Sequence, residues 1–192
     1  MRSPSGVSVA FAGGFSFPGM AIILRGQGRP GGQDSDAGMK EQREGFWSFM
    51  AAALEEARAA VARGEVPVGA VVVSDGRVLA RAGNRTRELQ DPTAHAEMLA
   101  IREACRVTGS ERLVGCDLYV TLEPCPMCAA AISAARVGRL YYGAADPKSG
   151  GVAVGARVFS HPQCHHVPEV YDGIGAGEAE ALLKGFFAAR RE

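Results

Sequence analysis

Residues 118–128 read LYVTLEPCPMC, an apolar run followed at once by two prolines and two cysteines. The run Leu118–Leu122 is rich in β-prone residues and predicts a buried strand. The two prolines are tolerated in the first turn of a helix, because that turn has no intrahelical donor bonds to lose. The stretch therefore predicts a strand that leads directly into a helix, with the sulfurs of Cys125 and Cys128 on one face of its first turn.

Strands and helices alternate along the rest of the chain. The Asp75-Gly76 turn between two β-prone runs is a strong hairpin signal, so the first two strands should be antiparallel neighbours. The predicted strands cover residues 68–73, 78–82, 118–122, 140–143 and 169–171, and the predicted helices cover residues 46–61, 93–108, about 126–136 and 177–191. Thr93 is the expected cap of the second helix. This alternation predicts a three-layer α/β/α domain with a five-stranded mixed sheet.

The first 38 residues differ in character from the rest. Glycine, proline, serine and aspartate interrupt them without a helical or strand period. We expect residues 1–38 to be disordered or a non-native extension, and residues 39–192 to form one domain. Two alternatives stay open: the mildly apolar segment Val7–Leu24 has some features of a signal peptide, and Met39 is a second candidate start of the chain.

Charge, cysteine content and hydropathy narrow the class of protein. The chain has 21 basic and 21 acidic residues, so it lacks the overall positive field that draws proteins onto nucleic acid. Any contact with nucleic acid must come from a local site. The five cysteines are an odd number without a disulfide framework, which fits a reducing cytoplasm. No apolar run reaches the roughly 18 to 20 residues of a membrane span, so no membrane association is expected.

Three soft metal ligands and one carboxylate occur in two short runs of the sequence. These runs are His95-Ala96-Glu97 and the Pro-Cys run with its two cysteines. An imidazole and two thiolates are the ligands of a zinc site that keeps one position open for water. Glu97 is two residues from His95, which on a regular helix turns it roughly 200° away, so both face one pocket only where a helix begins. There Glu97 would exchange protons with water and substrate instead of binding the metal.

A closed zinc site that only stabilises the fold is the alternative for these residues. Such a site needs a fourth protein ligand, and Cys164, His165 or His166 could supply it. Closed sites usually show two pairs of Cys or His ligands rather than an acid beside the His, so we favour the open site. For residues 164–166, a polar loop is the simpler interpretation.

The metal-type residues belong to a larger set of motifs. The set comprises Glu65–Val71, Gly83–Arg85, Asp91–Glu97, Leu118–Cys128, Tyr142–Ala144, Asp146–Gly150, Phe186–Phe187 and Arg190–Arg191. With this set the chain resembles, from about Phe46 to Arg191, the bacterial tRNA adenosine deaminases of the TadA type in the cytidine deaminase-like superfamily. The resemblance implies a cytidine deaminase-like fold and zinc-dependent hydrolytic deamination of adenosine to inosine at the wobble position of a tRNA anticodon.

The resemblance also implies the roles of individual residues. His95, Cys125 and Cys128 would bind zinc, one ion per subunit of a cytoplasmic homodimer, and Glu97 would be the catalytic proton carrier. Contacts to the substrate, the tRNA anticodon loop, are implied at Asn84, Ala96, Asp146, Lys148, Phe187, Arg190 and Arg191. The chain departs from the family at residues 165–167, where His-His-Val replaces the common Asn-His-Arg.

Two other functions remain open at this point. A free nucleobase or nucleotide deaminase, of the guanine or cytosine type, shares the zinc motif, but residues 65–71, residues 83–85 and the arginine-bearing last helix favour tRNA. The second is a catalytically silent RNA-binding subunit with the same fold. Its expected mark is loss of the proton-carrying acid, and this chain has Glu97.

Overall fold

A computed structural model describes residues 35–190, with side chains from residue 49 onward. The helices are α1 (Ser35–Ala62), α2 (Ala96–Thr108), α3 (Pro126–Ala134) and α4 (Ala176–Ala188), and the strands are β1 (Gly69–Ser74), β2 (Arg77–Gly83), β3 (Asp117–Leu122), β4 (Arg139–Ala144) and β5 (Glu169–Tyr171). This is the predicted order of elements. No helix in this part of the chain combines the length and the apolar character that crossing a bilayer requires.

The five strands form one mixed sheet in the order β2-β1-β3-β4-β5. Strand β1 pairs antiparallel with β2 and with β3, whereas β3, β4 and β5 run parallel. In the hairpin between β1 and β2, Asp75 and Gly76 have φ values of 48° and 71°, the left-handed conformation that a tight two-residue turn requires. The predicted five-stranded mixed sheet and its hairpin are confirmed.

Helices cover both faces of the sheet. Ala70 and Val72 of β1 pack into one core with residues of α2 and α3, while Val71 and Val73 pack into a second core with residues of α1 and α4. Because alternate residues of a strand point to opposite faces, a strand buried on both faces is apolar throughout. The predicted three-layer α/β/α architecture is confirmed, and α2 and α3 lie on the same face of the sheet.

Two helix starts differ from the prediction. Helix α1 extends back to Ser35, the first described residue, and so includes residues 35–38 of the predicted extension. The rest of that extension, residues 1–34, lies outside the described residues. Thr93 does not cap α2, because the helix begins at Ala96 with His95 as its N-cap residue. Thr93 lies in the preceding turn, where its N–H and its hydroxyl both donate to Asp91 Oδ1 at 2.7 Å.

Gly69, at the start of β1, is in close contact with α1. A Cβ atom there would lie 2.6 Å from Ala57 N and would clash with the carbonyl oxygen of Ala53. Gly69→Ala is therefore expected to displace α1 and to lower the free energy of unfolding by about 1–3 kcal/mol, a decrease in Tm of roughly 2–12 °C. Thermal unfolding measures this change.

The matched control is Gly185→Ala in α4. A Cβ atom at that position meets no atom within 4 Å, and alanine favours a helix over glycine, so Tm should stay the same or rise. An unchanged Tm for Gly69→Ala would show that the contact between α1 and β1 is looser than described.

Candidate metal centre and substrate pocket

The N-termini of two helices meet at the candidate metal centre. His95 is the N-cap residue of α2, Cys125 is the N-cap residue of α3, and Cys128 lies in the first turn of α3. His95 Nδ1 lies 3.7 Å from Cys125 Sγ and 3.5 Å from Cys128 Sγ. Zn–S and Zn–N bonds of about 2.3 and 2.05 Å in a tetrahedron place nitrogen and sulfur about 3.6 Å apart. The three side chains therefore fit a zinc ion.

The closed zinc site considered above is not formed. Within residues 49–190, whose side chains the structure describes, the group of His95, Cys125 and Cys128 is the one cluster of His, Cys, Asp or Glu that could hold a metal. Cys164 instead lies with its sulfur 3.2 Å from Ser133 Oγ, and His166 Nε2 lies 2.7 Å from the carbonyl oxygen of Val137. Residues 164–166 thus attach their loop to the end of α3.

The two candidate thiolate ligands are coupled to each other. The neighbouring Cys128 thiol lowers the pKa of Cys125 to about 4 although burial opposes it. The same interaction, together with burial, raises the pKa of Cys128. The fold alone therefore stabilises one thiolate, and a divalent cation beside both sulfurs would favour the second.

Glu97 is the second residue of α2 and is buried beside these donors. Among the described side chains, it alone has a buried oxygen, Oε2, without a hydrogen-bond partner. Burial raises the pKa of its carboxyl group above the ordinary value. Together with His95 and Cys125 it lines a cavity of about 230 Å³. A carboxyl group of raised pKa that faces such a cavity can both accept and return a proton during a reaction.

Asn84 lines the same cavity. Its Oδ1 accepts a hydrogen bond from the N–H of Ala96 at 2.9 Å, so the amide nitrogen is the group that Asn84 has for a ligand. Ala96 has no exposed surface and belongs to the core. Its N–H orients Asn84, and a contact between Ala96 and the substrate stays a prediction.

Two buried carboxylates that the sequence did not single out hold the walls of the cavity. Glu65 accepts hydrogen bonds from the N–H groups of Arg87 and Glu88 and from the hydroxyl of Thr86, and so fixes the loop after Asn84. Glu123 accepts four N–H groups of the loop after β4. The available sequence signal is their position, since each acid lies inside one of the motifs named above, in an apolar setting.

A wider groove of about 950 Å³ adjoins the cavity. The two share lining residues, namely Val66, Leu122, Asp146 and Ser149. The groove is also lined by Lys148, Lys184, Phe187 and Arg190. The cavity and the groove therefore share a wall, and four of the implied substrate contacts lie in the groove.

Two of these four groove residues also make contacts within the protein. Asp146 Oδ1 accepts the N–H groups of Lys148 and Ser149, both at 3.0 Å, and so shapes its own loop. Arg190 donates to the carbonyl oxygen of Gly64 at 2.9 Å, and its guanidinium lies 3.6 Å from the centre of the Phe186 ring. Phe187 is 45% exposed. Arg191 lies outside the described residues.

Comparison with known proteins gives consistent matches. Residues 45–144 match the family model of the cytidine and deoxycytidylate deaminase zinc-binding region, a range that includes the three donors and Glu97. A tRNA-specific adenosine deaminase of Agrobacterium fabrum (strain C58) is 63% identical over 143 residues, which are 74% of this chain and 94% of that protein.

Solved structures extend the comparison to the fold. A chain from a study of A-to-I editing by tRNA deaminases at the wobble position of transfer RNA is 64% identical, with a TM-score of 0.70, and the match covers 71% of this chain and 99% of that one. A guanine deaminase from Bacillus subtilis is 34% identical, with a TM-score of 0.52, over 76% of this chain and 93% of its own.

Proposed function

The chain belongs to the zinc-binding cytidine and deoxycytidylate deaminase family, and from this premise we propose that it deaminates adenosine to inosine at the wobble position of a tRNA anticodon. The observation that carries the choice of substrate is the wider groove that shares a wall with the cavity beside Glu97. A free base would need only the cavity, whereas a nucleotide within RNA needs room for its neighbours.

The chemistry is a hydrolysis in which adenosine and water give inosine and ammonia. Zinc, held by His95, Cys125 and Cys128, would polarise the water and make it a stronger nucleophile. Glu97 accepts one proton from the attacking water and passes it to a ring nitrogen of the base. It then takes the remaining proton from the added hydroxyl group and gives it to the departing amine. Its unpartnered Oε2 and the raised pKa of its carboxyl group support this role.

The groove supports binding of the anticodon loop. A wobble base is already unpaired, so turning it into a cavity costs less than extruding a base from a duplex. Lys148 and Arg190 supply positive charge for phosphates, and the exposed ring of Phe187 is a surface on which a neighbouring base can stack. The carboxylate of Asp146 is turned onto the N–H groups of its own loop, which limits its repulsion of phosphate.

The experiment that tests this function offers competing substrates to the zinc-loaded protein. The substrates are an anticodon stem-loop with a wobble adenosine, the same stem-loop with guanosine at that position, and free guanine, cytosine and cytidine. Product analysis by mass spectrometry should find inosine in the first RNA alone. Xanthine from guanine would favour the activity of the guanine deaminase relative, and RNA binding without any product would favour a silent subunit.

Asn84→Ala is expected to lower kcat/KM for the stem-loop by roughly 10- to 100-fold. The substitution removes the amide that faces the base and the acceptor of the Ala96 N–H, and a lost buried hydrogen bond costs about 1–3 kcal/mol. Steady-state kinetics and Tm measure the two losses.

Asn84→Asp separates these two effects. It keeps an oxygen for the Ala96 N–H but replaces the amide nitrogen with a second oxygen. Tm should return toward that of the wild type while kcat/KM stays low. Wild-type kinetics in Asn84→Asp would exclude an amide donor to the purine.

We further propose a cytoplasmic homodimer with one zinc ion per subunit. All five cysteines are unpaired, which supports a reducing compartment, and the single donor cluster among the described side chains supports one ion. Light scattering and metal analysis of the purified protein test the mass and the stoichiometry. A monomer, or a zinc content well away from one per chain, would contradict these proposals.

A further inference from the structure

Glu123 lies between β3 and α3, two residues before Cys125, and only 2% of its surface is exposed. Its Oε1 accepts the N–H groups of Val152, Ala153 and Val154 at 3.2, 2.9 and 3.2 Å. Its Oε2 accepts the N–H of Asp146 at 3.1 Å. All four donors belong to the loop after β4, so one carboxylate gathers both ends of a nine-residue segment, residues 146–154.

This segment also touches the turn that carries the zinc ligands. The N–H of Gly151 donates to the carbonyl oxygen of Pro124 at 2.8 Å. A Cβ atom on Gly151 would lie 2.5 Å from Pro126 N, and one on Gly150 would lie 2.5 Å from the carboxylate of Glu123. The two glycines thus let the segment approach both the ligand turn and Glu123 directly.

We propose that Glu123 is a positioning residue that attaches the substrate-binding wall, residues 146–154, to the metal centre. The wall carries Asp146 and Ser149, which line both the cavity and the groove, and Lys148, which lines the groove. Through this attachment, RNA held by the wall is kept in register with the cavity beside Glu97. The effect on RNA rests on the proposed function, whereas the attachment itself does not.

A carboxylate suits four converging donors better than an amide does. Both of its oxygens are acceptors, whereas glutamine has one oxygen and one NH₂ group. In one orientation of the Glu123→Gln side chain, its oxygen still accepts the three N–H groups of residues 152–154. Its NH₂ group then faces the N–H of Asp146, and two donors meet. The reverse orientation leaves three donors without an acceptor. Either way the wall loses part of its attachment, while no zinc ligand is changed.

The test compares zinc-loaded wild type and Glu123→Gln in two measurements. In hydrogen exchange without RNA, the amides of residues 152–154 or of residue 146 should exchange faster in the variant. In kinetics with the stem-loop, KM should rise about 10-fold, equivalent to ~1.4 kcal/mol, while kcat changes less than about threefold and zinc content is unchanged. Glu111→Gln, at an exposed ion pair with Arg112, is the matched control and should match the wild type in both.

Gly151→Ala gives a second route to the same effect. It pushes the wall away from Pro126 and leaves Glu123 intact, so the same rise in KM is expected. Unchanged amide exchange in Glu123→Gln, or a fall in kcat with KM unchanged, would overturn the positioning role. If the wild type fails to form inosine, the proposed function fails, and the exchange measurement still decides whether Glu123 holds the wall.

Discussion

Glu97→Gln should lower kcat for deamination of the stem-loop by at least about 100-fold, the lower end for loss of a general acid-base group. Glutamine has nearly the same shape but can neither accept the proton of the attacking water nor deliver it to the base. Tm should not fall, because Oε2 of Glu97 has no hydrogen bond to lose. Zinc content should also stay unchanged, because the three donors are intact.

Kinetics, metal analysis and thermal unfolding of the same preparation separate the explanations. Glu103→Gln, on an exposed ion pair with Arg106 in the same helix, is the matched control and should turn over like the wild type. Wild-type turnover in Glu97→Gln would exclude the proton-carrying role. Loss of zinc in that variant would instead identify Glu97 as a ligand.

Cys128→Ala is expected to abolish both zinc binding and activity. Cys128 is fully buried, and its sulfur lies 3.5 Å from His95 Nδ1, so no other group can take its place without rearrangement. Two remaining ligands hold zinc far more weakly than three, and we expect zinc affinity and kcat each to fall by at least about 100-fold, above the range for loss of an outer-shell partner. Because metal binding stabilises only the folded state, Tm measured in excess zinc should fall as well.

Cys164→Ala is the matched cysteine control for this prediction. Cys164 is half-buried and bonds to Ser133 and His166 instead of the metal cluster. Its removal should leave zinc content and turnover at wild-type levels. Full zinc occupancy in Cys128→Ala, or zinc loss in Cys164→Ala, would mean that the metal is held by a different set of ligands.

The fold could be predicted from the sequence because the patterns that indicate its strands, helices and turns are local. The Asp75-Gly76 turn, the apolar strands and the helical periods each depend on neighbouring residues, and they predict the sheet and its layers. Thr93 misled the prediction of the helix start for a local reason as well. Asp91 accepts hydrogen bonds from the N–H and the hydroxyl of Thr93 and holds it in a turn before the helix, so His95 becomes the N-cap residue.

The metal donors were accessible because zinc chemistry restricts residue type and spacing, so that His95 and the Cys125–Cys128 pair stand out. The hydrogen bonds that support the site could not be predicted from the sequence. Glu123 accepts hydrogen bonds from N–H groups up to 31 residues away. Arg190 donates a hydrogen bond to a carbonyl oxygen 126 residues away. Neither partner is marked by a side-chain pattern, since backbone groups are the same at every position.

Incubation of the zinc-loaded protein with the anticodon stem-loop in H₂¹⁸O tests the central claim most directly. Mass spectrometry of the digested RNA should show inosine at the wobble position with one ¹⁸O atom, and other adenosines should be unchanged. Glu97→Gln should yield almost no labelled product under the same conditions. Unmodified wobble adenosine after incubation with wild type, or inosine that carries only ¹⁶O, would contradict hydrolytic deamination at this site.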